Sequence, residues 1–140
     1  MADERAGKDY WDAAETNRLP RIFNPGGKGL RHHAQREWDR FFAKWLADVP
    51  TGGKLLELGC GGSVLLPYLH HRFGLAVAGI DYSEPGCRLA QQICGAQQCA
   101  AEIICGDAFD PPDRMLSQYD VVVSFGLAEH FNDTAAAIRG

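Results

Sequence analysis

Apolar residues recur with two different periods along this chain, and the change falls near Pro50. Trp38, Phe41, Phe42, Trp45, Leu46 and Val49 follow i, i+3, i+4, i+7, i+8 and i+11, which is one face of a helix. Arg36, Glu37, Asp39, Arg40 and Lys44 fall largely off that stripe. Pro50 disfavours helical geometry in the residue before it. The helix is therefore expected to end at Val49, with its aromatic stripe packed on a core. Upstream, "DYWDAAETN" reads as a short helix stopped near Pro20, and "NPGGKGL", Asn24 to Leu30, as a turn-rich loop.

From Lys54 onward short, continuously apolar runs alternate with helical stretches. "KLLEL", "LAVAGID", "AEIICGD" and "YDVVVSFG" read as four strands. "SVLLPYLHHRF" reads as a helix, with Pro67 tolerable only near its first turn. "EPGCRLAQQICGAQQ" reads as another, with Ser83 as N-cap, and "AFDPPDRMLSQ" as a loop with one helical turn. Continuous apolar strands separated by helices predict a parallel sheet covered on both faces, joined by right-handed crossovers. The expected organisation is a helical extension or lid over residues 1–50 and an α/β unit over residues 51–140.

Composition narrows the function classes. A chain of 140 residues has room for one sizeable core. The net charge of -4 and pI near 5.7 argue against nucleic acid or an anionic membrane as partner. Basic residues cluster from Arg18 to Lys44 and could meet an anionic substrate, but solvated helix faces and a loop account for them better. Cys60, Cys87, Cys94, Cys99 and Cys105 form no C-x-x-C pair, the first residues lack the apolar core of a signal peptide, and no apolar run approaches a membrane span. Reduced thiols in a cytoplasm are the expectation.

Candidate chemistry sits at the strand ends, because open α/β sheets bind ligands outside the carboxyl ends of their strands. The first strand carries Glu57 and runs into Gly59-Cys60-Gly61-Gly62-Ser63. The second ends at Asp81, the third at Gly106-Asp107, and the fourth at Ser124-Phe125-Gly126, followed by Glu129 and His130. A dinucleotide fingerprint fails, since Val64 stands where its last glycine belongs, and Glu57 would repel a pyrophosphate. No G-K-[ST] opens the next helix, so a P-loop fails too. The loop suits a nucleoside ligand without phosphates and preferably with positive charge.

Taken in order, "LLELGCGGS", "GIDYS", "CGDAFD" and "YDVVVSFGLAEHF" resemble the class I S-adenosylmethionine-dependent methyltransferases from Leu55 to Phe131. The resemblance implies a Rossmann-like methyltransferase fold, incomplete here, with strands 1–4 in the order 3-2-1-4. It implies S-adenosyl-L-methionine as cofactor, whose ammonium and sulfonium suit an acid-rich cleft. Gly59, Cys60 and Gly61 would bring backbone close to it, and Glu57 would order the loop and help receive the cationic end. Asp81, with Tyr82 beside it, would accept from the ribose hydroxyls. Asp107 would accept from the adenine amino group, with the Ala108 N–H at the ring edge, and Ser124 and Phe125 would line the methionine side. Ser63 departs from the glycine common in the family, and a serine there can cap the following helix.

The resemblance also places Glu129 and His130 where an acceptor approaches, with His130 as candidate general base. No "DPPY" or "NPPY" follows the fourth strand, so a small-molecule acceptor is expected rather than nucleic acid. Tyr10 or Trp11 would face the sulfonium from the N-terminal segment. Family members continue with three more strands, so the reading expects a truncated form, a fragment or one half of a split enzyme, with "YDVVVSF" as an apolar edge open to association. Two classes stay open: a methyltransferase, or its cofactor-binding part, and a non-catalytic interaction module that completes its sheet with a partner.

Overall fold

A computed structural model describes residues 7–16, 18, 21–127, 130–132 and 135. Its elements are α1 (Lys8–Thr16), a 3-10 turn (Leu30–His32), α2 (His33–Trp45), β1 (Lys54–Leu58), α3 (Leu65–Phe73), β2 (Ala76–Asp81), α4 (Glu84–Ala96), β3 (Glu102–Cys105), a second 3-10 turn (Asp113–Met115) and β4 (Val121–Ser124). The four strands are parallel, as the apolar runs imply, and lie in the order β3-β2-β1-β4, as the resemblance implies. Leu58 pairs with Ile80 on one side and Ser124 on the other, so the loops after β1, β2 and β4 leave the sheet at one edge. No helix among the described residues is long and apolar enough to cross a membrane.

Alternate side chains serve opposite faces of this sheet. Leu55 and Val77 join Phe42, Leu46, Leu66, Tyr68, Leu69 and Leu75 in the cluster under the helices. Leu56, Ala78, Ile80 and Ile104 pack with Met115 on the other face. Glu57 shares the parity of Leu55 and so points into the helix-covered side. α3 accepts Pro67 at its third residue, where a missing N–H costs nothing, and closes on Gly74 in the left-handed region. Ser83 caps α4 as expected, its Oγ accepting from the Gly86 N–H at 3.2 Å.

The long aromatic stripe behaves differently from its period. α2 stops at Trp45, one turn before Val49, and the chain reverses through the bonds Val49 N–H to Leu46 O and Gly53 N–H to Pro50 O. Pro50 and the left-handed Gly52 (φ +83°) leave too little room for another helical turn before β1. Phe42 and Leu46 are buried, but Trp45 is 68% exposed. Trp38 and Phe42 both meet Phe125 edge-to-face, with ring centroids at 5.3 and 5.7 Å. The stripe therefore fixes the residue that leaves β4.

Candidate functional site

The loop after β1 is tied down from several directions. The Gly59 and Cys60 N–H groups both donate to Ile80 O of β2, at 2.9 and 3.2 Å. Gly59 turns the chain with φ +75°, a conformation glycine adopts at little cost. Asp81 then joins two segments: Oδ2 accepts the Gly61 N–H at 2.8 Å and Oδ1 accepts the Ser83 N–H at 2.8 Å. One carboxylate thus staples the glycine loop to the start of α4, and the Gly62 N–H adds a bond to Gly86 O.

Glu57 lies beneath this loop, not on a ligand-facing wall. It is 3% exposed, and its Oε2 accepts from Ser63 Oγ at 2.5 Å. Ser63 Oγ also accepts from the Leu65 and Leu66 N–H groups, which caps α3. The serine that departs from the family pattern is therefore the polar partner of the buried acid. Burial pushes the Glu57 carboxyl up from 4.5 to about 7, against the Ser63 bond, with Asp81 adding to the rise. An acid with a raised folded-state pKa binds its proton more tightly when folded. Its contribution to stability is complete below 4.5 and is lost as pH rises to about 7. Chemical denaturation is expected to find the chain less stable at pH 8 than at pH 5, with Glu57→Gln reducing that difference. An equal decline in both proteins would contradict the assignment.

α1 covers the other side of the loop. Trp11, Glu15 and Arg18 face Gly59, Gly61, Asp81, Tyr82 and Ser83 across a cavity of about 260 Å³, which Phe125, Gly126, Leu127 and His130 close. Trp11 meets the His130 ring edge-to-face at 4.6 Å. Tyr10 packs on the outer edge of Trp11 at 5.1 Å and is 61% exposed, so Trp11 is the aromatic of the pair that reaches the cavity. Glu15 is buried, with Oε1 accepting from Arg18 Nη1 at 2.9 Å. Among the described residues two carboxylates and one guanidinium border the space, and the guanidinium already has an anionic partner. A phosphate group would meet Asp81 and Glu15 here, whereas a cationic nucleoside meets complementary charge.

The expected site residues divide between this cavity and its surroundings. Gly59, Gly61, Asp81, Tyr82, Phe125 and His130 line it. Cys60 is fully buried behind it, against Gly79, where burial pushes its thiol well above the usual range, so it is no nucleophile. Asp107 is exposed at the next strand end, Oδ1 accepting the Phe109 N–H at 2.8 Å, and Ala108 packs under Met115. Ser124 is exposed at the end of β4. Neither Asp107, Ala108 nor Ser124 is on the cavity wall. Glu129 lies outside the described residues.

Sequence reading missed Glu15 and Arg18, which look like solvated charges on a short polar helix. The available signal was indirect. Glu15 Oε2 lies 2.8 Å from where a Gly62 Cβ would stand, and Gly61 Cα lies 3.0 Å from the corresponding point at Gly86, so both glycines sit where neighbours crowd the backbone.

Comparison with known proteins agrees with this geometry. A family model described as "Methyltransferase domain" matches residues 55–140. The ubiquinone biosynthesis O-methyltransferase of Pseudomonas savastanoi pv. phaseolicola is 35% identical over 89 residues, covering 64% of this chain and 38% of that protein. That of Pseudomonas putida is 34% identical over 122 residues, covering 76% and 51%. The chain thus spans between about two fifths and one half of these relatives. Among solved structures, magnesium protoporphyrin IX methyltransferase from Synechocystis PCC 6803, with bound SAM, is similar at a TM-score of 0.64 and 23% identity, over 94% of this chain and 66% of that one. Coclaurine N-methyltransferase is similar at 0.64 and 16%, over 89% and 36%. At these identities the likeness is one of fold.

Proposed function

From the premise that this chain belongs to the methyltransferase domain family, we propose that it binds S-adenosylmethionine in the strand-end cavity and serves methyl transfer to a small hydroxyl-bearing acceptor. The observation that carries this is the Asp81 staple. One carboxylate at the end of β2, beside a glycine loop that admits a ligand to the backbone, stands where the ribose hydroxyls of a nucleoside would find an acceptor. The O-methyltransferase names of the relatives and the SAM held by the Synechocystis neighbour support the same reading.

Asp81 is held at the cavity wall by the Gly61 and Ser83 N–H groups, and a carboxylate fixed there suits ribose hydroxyls, which need an acceptor. Gly59 and Gly61 let the ligand approach main chain, and Trp11 and Phe125 offer aromatic faces to a cation. Asp107 and the Ala108 N–H extend the same sheet edge toward an adenine ring. Within the segment over residues 1–50, α1 acts as the lid, since it supplies the outer wall, while α2 packs into the core.

The cofactor supplies an activated methyl group on sulfur, and its transfer demands mainly proximity and alignment from the protein. A hydroxyl acceptor must also lose its proton. His130 borders the cavity with its ring held by Trp11, and it takes that proton as general base. His130→Ala is expected to lower turnover by about 100-fold or more while cofactor affinity stays within about twofold. Unchanged turnover on the acceptor the wild type methylates would remove His130 from the mechanism.

A further inference from the structure

We propose that Cys87 and Cys105 form a redox site, on which peroxide closes a reversible disulfide that locks the first turn of α4 to the end of β3. The register of the sheet brings the two together. Cys105 is the last residue of β3 and pairs with Asp81, the last residue of β2. It shares the parity of Ile103, which packs into the helix-covered cluster, so its side chain leaves the sheet on the α4 side. Cys87 comes from the first turn of α4, and its Sγ lies 3.2 Å from Asp81 O and 3.8 Å from Ile104 O. Asp81 O also accepts the Gly106 N–H at 2.8 Å. The Cys87 sulfur thus sits against the main chain on both sides of Cys105, and the two thiols are in hydrogen-bonding contact.

The pair has the unequal access that stepwise oxidation needs. Cys105 is exposed, whereas Cys87 is buried. Burial above all, and then the Cys105 thiol beside it, push the Cys87 thiol up to about 12. Cys105 therefore meets the oxidant first and, as thiolate, attacks one oxygen of hydrogen peroxide. The O–O bond breaks, Cys105 becomes a sulfenic acid, and the departing hydroxide takes the thiol proton to leave as water. The Cys87 sulfur then attacks the Cys105 sulfur. The S–O bond breaks, and the departing hydroxide takes the Cys87 proton as a second water. Both thiols are oxidised, the peroxide is reduced to water, and no other reactant enters. A dithiol reductant reverses the bond by exchange.

The cross-link closes a loop of about 18 residues, which removes freedom from the unfolded chain. It takes the S–H donor away from Asp81 O, which keeps the Gly106 N–H. Cys94 and Cys99 supply an internal comparison, because both are buried and neither sulfur meets an oxidant from solvent. The site stands on its thiols and does not depend on which ligand the cavity holds.

The test treats the folded 140-residue chain with hydrogen peroxide at neutral pH, then alkylates the remaining thiols in denaturant before tryptic mapping. The expected product is an intramolecular Cys87–Cys105 disulfide, with Cys94 and Cys99 alkylated and with dithiothreitol restoring both lost thiols. The oxidised chain is expected to melt about 5 °C or more above the reduced one. In Cys87→Ala, dimedone should capture a sulfenic acid at Cys105, and in Cys105→Ser, Cys87 should stay a thiol. The serine change is at an exposed position, so it keeps the proposal testable if Cys87→Ala fails to fold. A Cys105–Cys105 bond between two chains, or Cys105 carried on to sulfinic acid beside an intact Cys87 thiol, would overturn the site. An oxidised chain that melts no higher than the reduced one would overturn the lock.

Discussion

Replacing Asp81 by alanine is expected to abolish measurable binding of S-adenosylhomocysteine, a loss of about 100-fold or more. The side chain makes two contributions at once. It is the acceptor offered to the ribose, and it holds the Gly61 and Ser83 N–H groups at 2.8 Å each. Alanine leaves both donors without that acceptor, at a cost of roughly 1–3 kcal/mol each. The loop then keeps only the Gly62 N–H to Gly86 O bond as its tie to α4, and Gly61 O is held less firmly in place for Arg18. Asp81→Asn separates the two contributions. Its amide oxygen accepts one backbone donor but presents an N–H₂ to the other, so it should recover part of the melting temperature and little of the affinity. Wild-type affinity in Asp81→Ala would show that the ligand, if any, binds elsewhere.

The second large effect is on stability, and it arises inside the sheet. Gly79 pairs with Glu57 in the register of β1 and β2. A Cβ there would stand 2.5 Å from Cys60 Sγ, 2.6 Å from Cys60 Cβ and 3.2 Å from Leu66 Cδ1. Cys60 has no room to retreat, because it is fully buried and its N–H is bonded to Ile80 O. Overpacking a core costs about 1–3 kcal/mol, and a clash against a pinned loop belongs at or above the upper end. Gly79→Ala should therefore lose about 3 kcal/mol or more in chemical denaturation and weaken cofactor binding through the displaced loop. Adding Cys60→Gly, which removes both clashing atoms, should recover part of the loss. Strict additivity of the two changes would show that the contact is not the cause.

Both positions show what the sequence makes legible. Parallel strands follow from apolar runs that are continuous where a strand is covered on both faces, as in Leu55-Leu56, the strand order follows from the family resemblance, and Asp81 is conspicuous because strand ends collect ligands. Glu57 is a subtler case. Its charge suggests a ligand, but its parity with Leu55 sends it into the helix-covered face, where Ser63 is its partner. The end of α2 was misjudged because the apolar period continues through Val49 while the turns at Pro50 and Gly52 already claim the backbone. Glu15 and Arg18 were hidden for a different reason. Nothing local marks them, and only the docking of α1 over Gly62 and Gly86 turns two surface charges into cavity walls.

A cavity walled by Asp81, Glu15 and the paired Arg18 guanidinium selects its ligand by charge. The most direct measurement is calorimetric titration of this chain with S-adenosylhomocysteine and, separately, with NAD. Saturable one-site binding of S-adenosylhomocysteine and no heat from NAD is the result expected. Binding of NAD by a folded chain that ignores S-adenosylhomocysteine would contradict it.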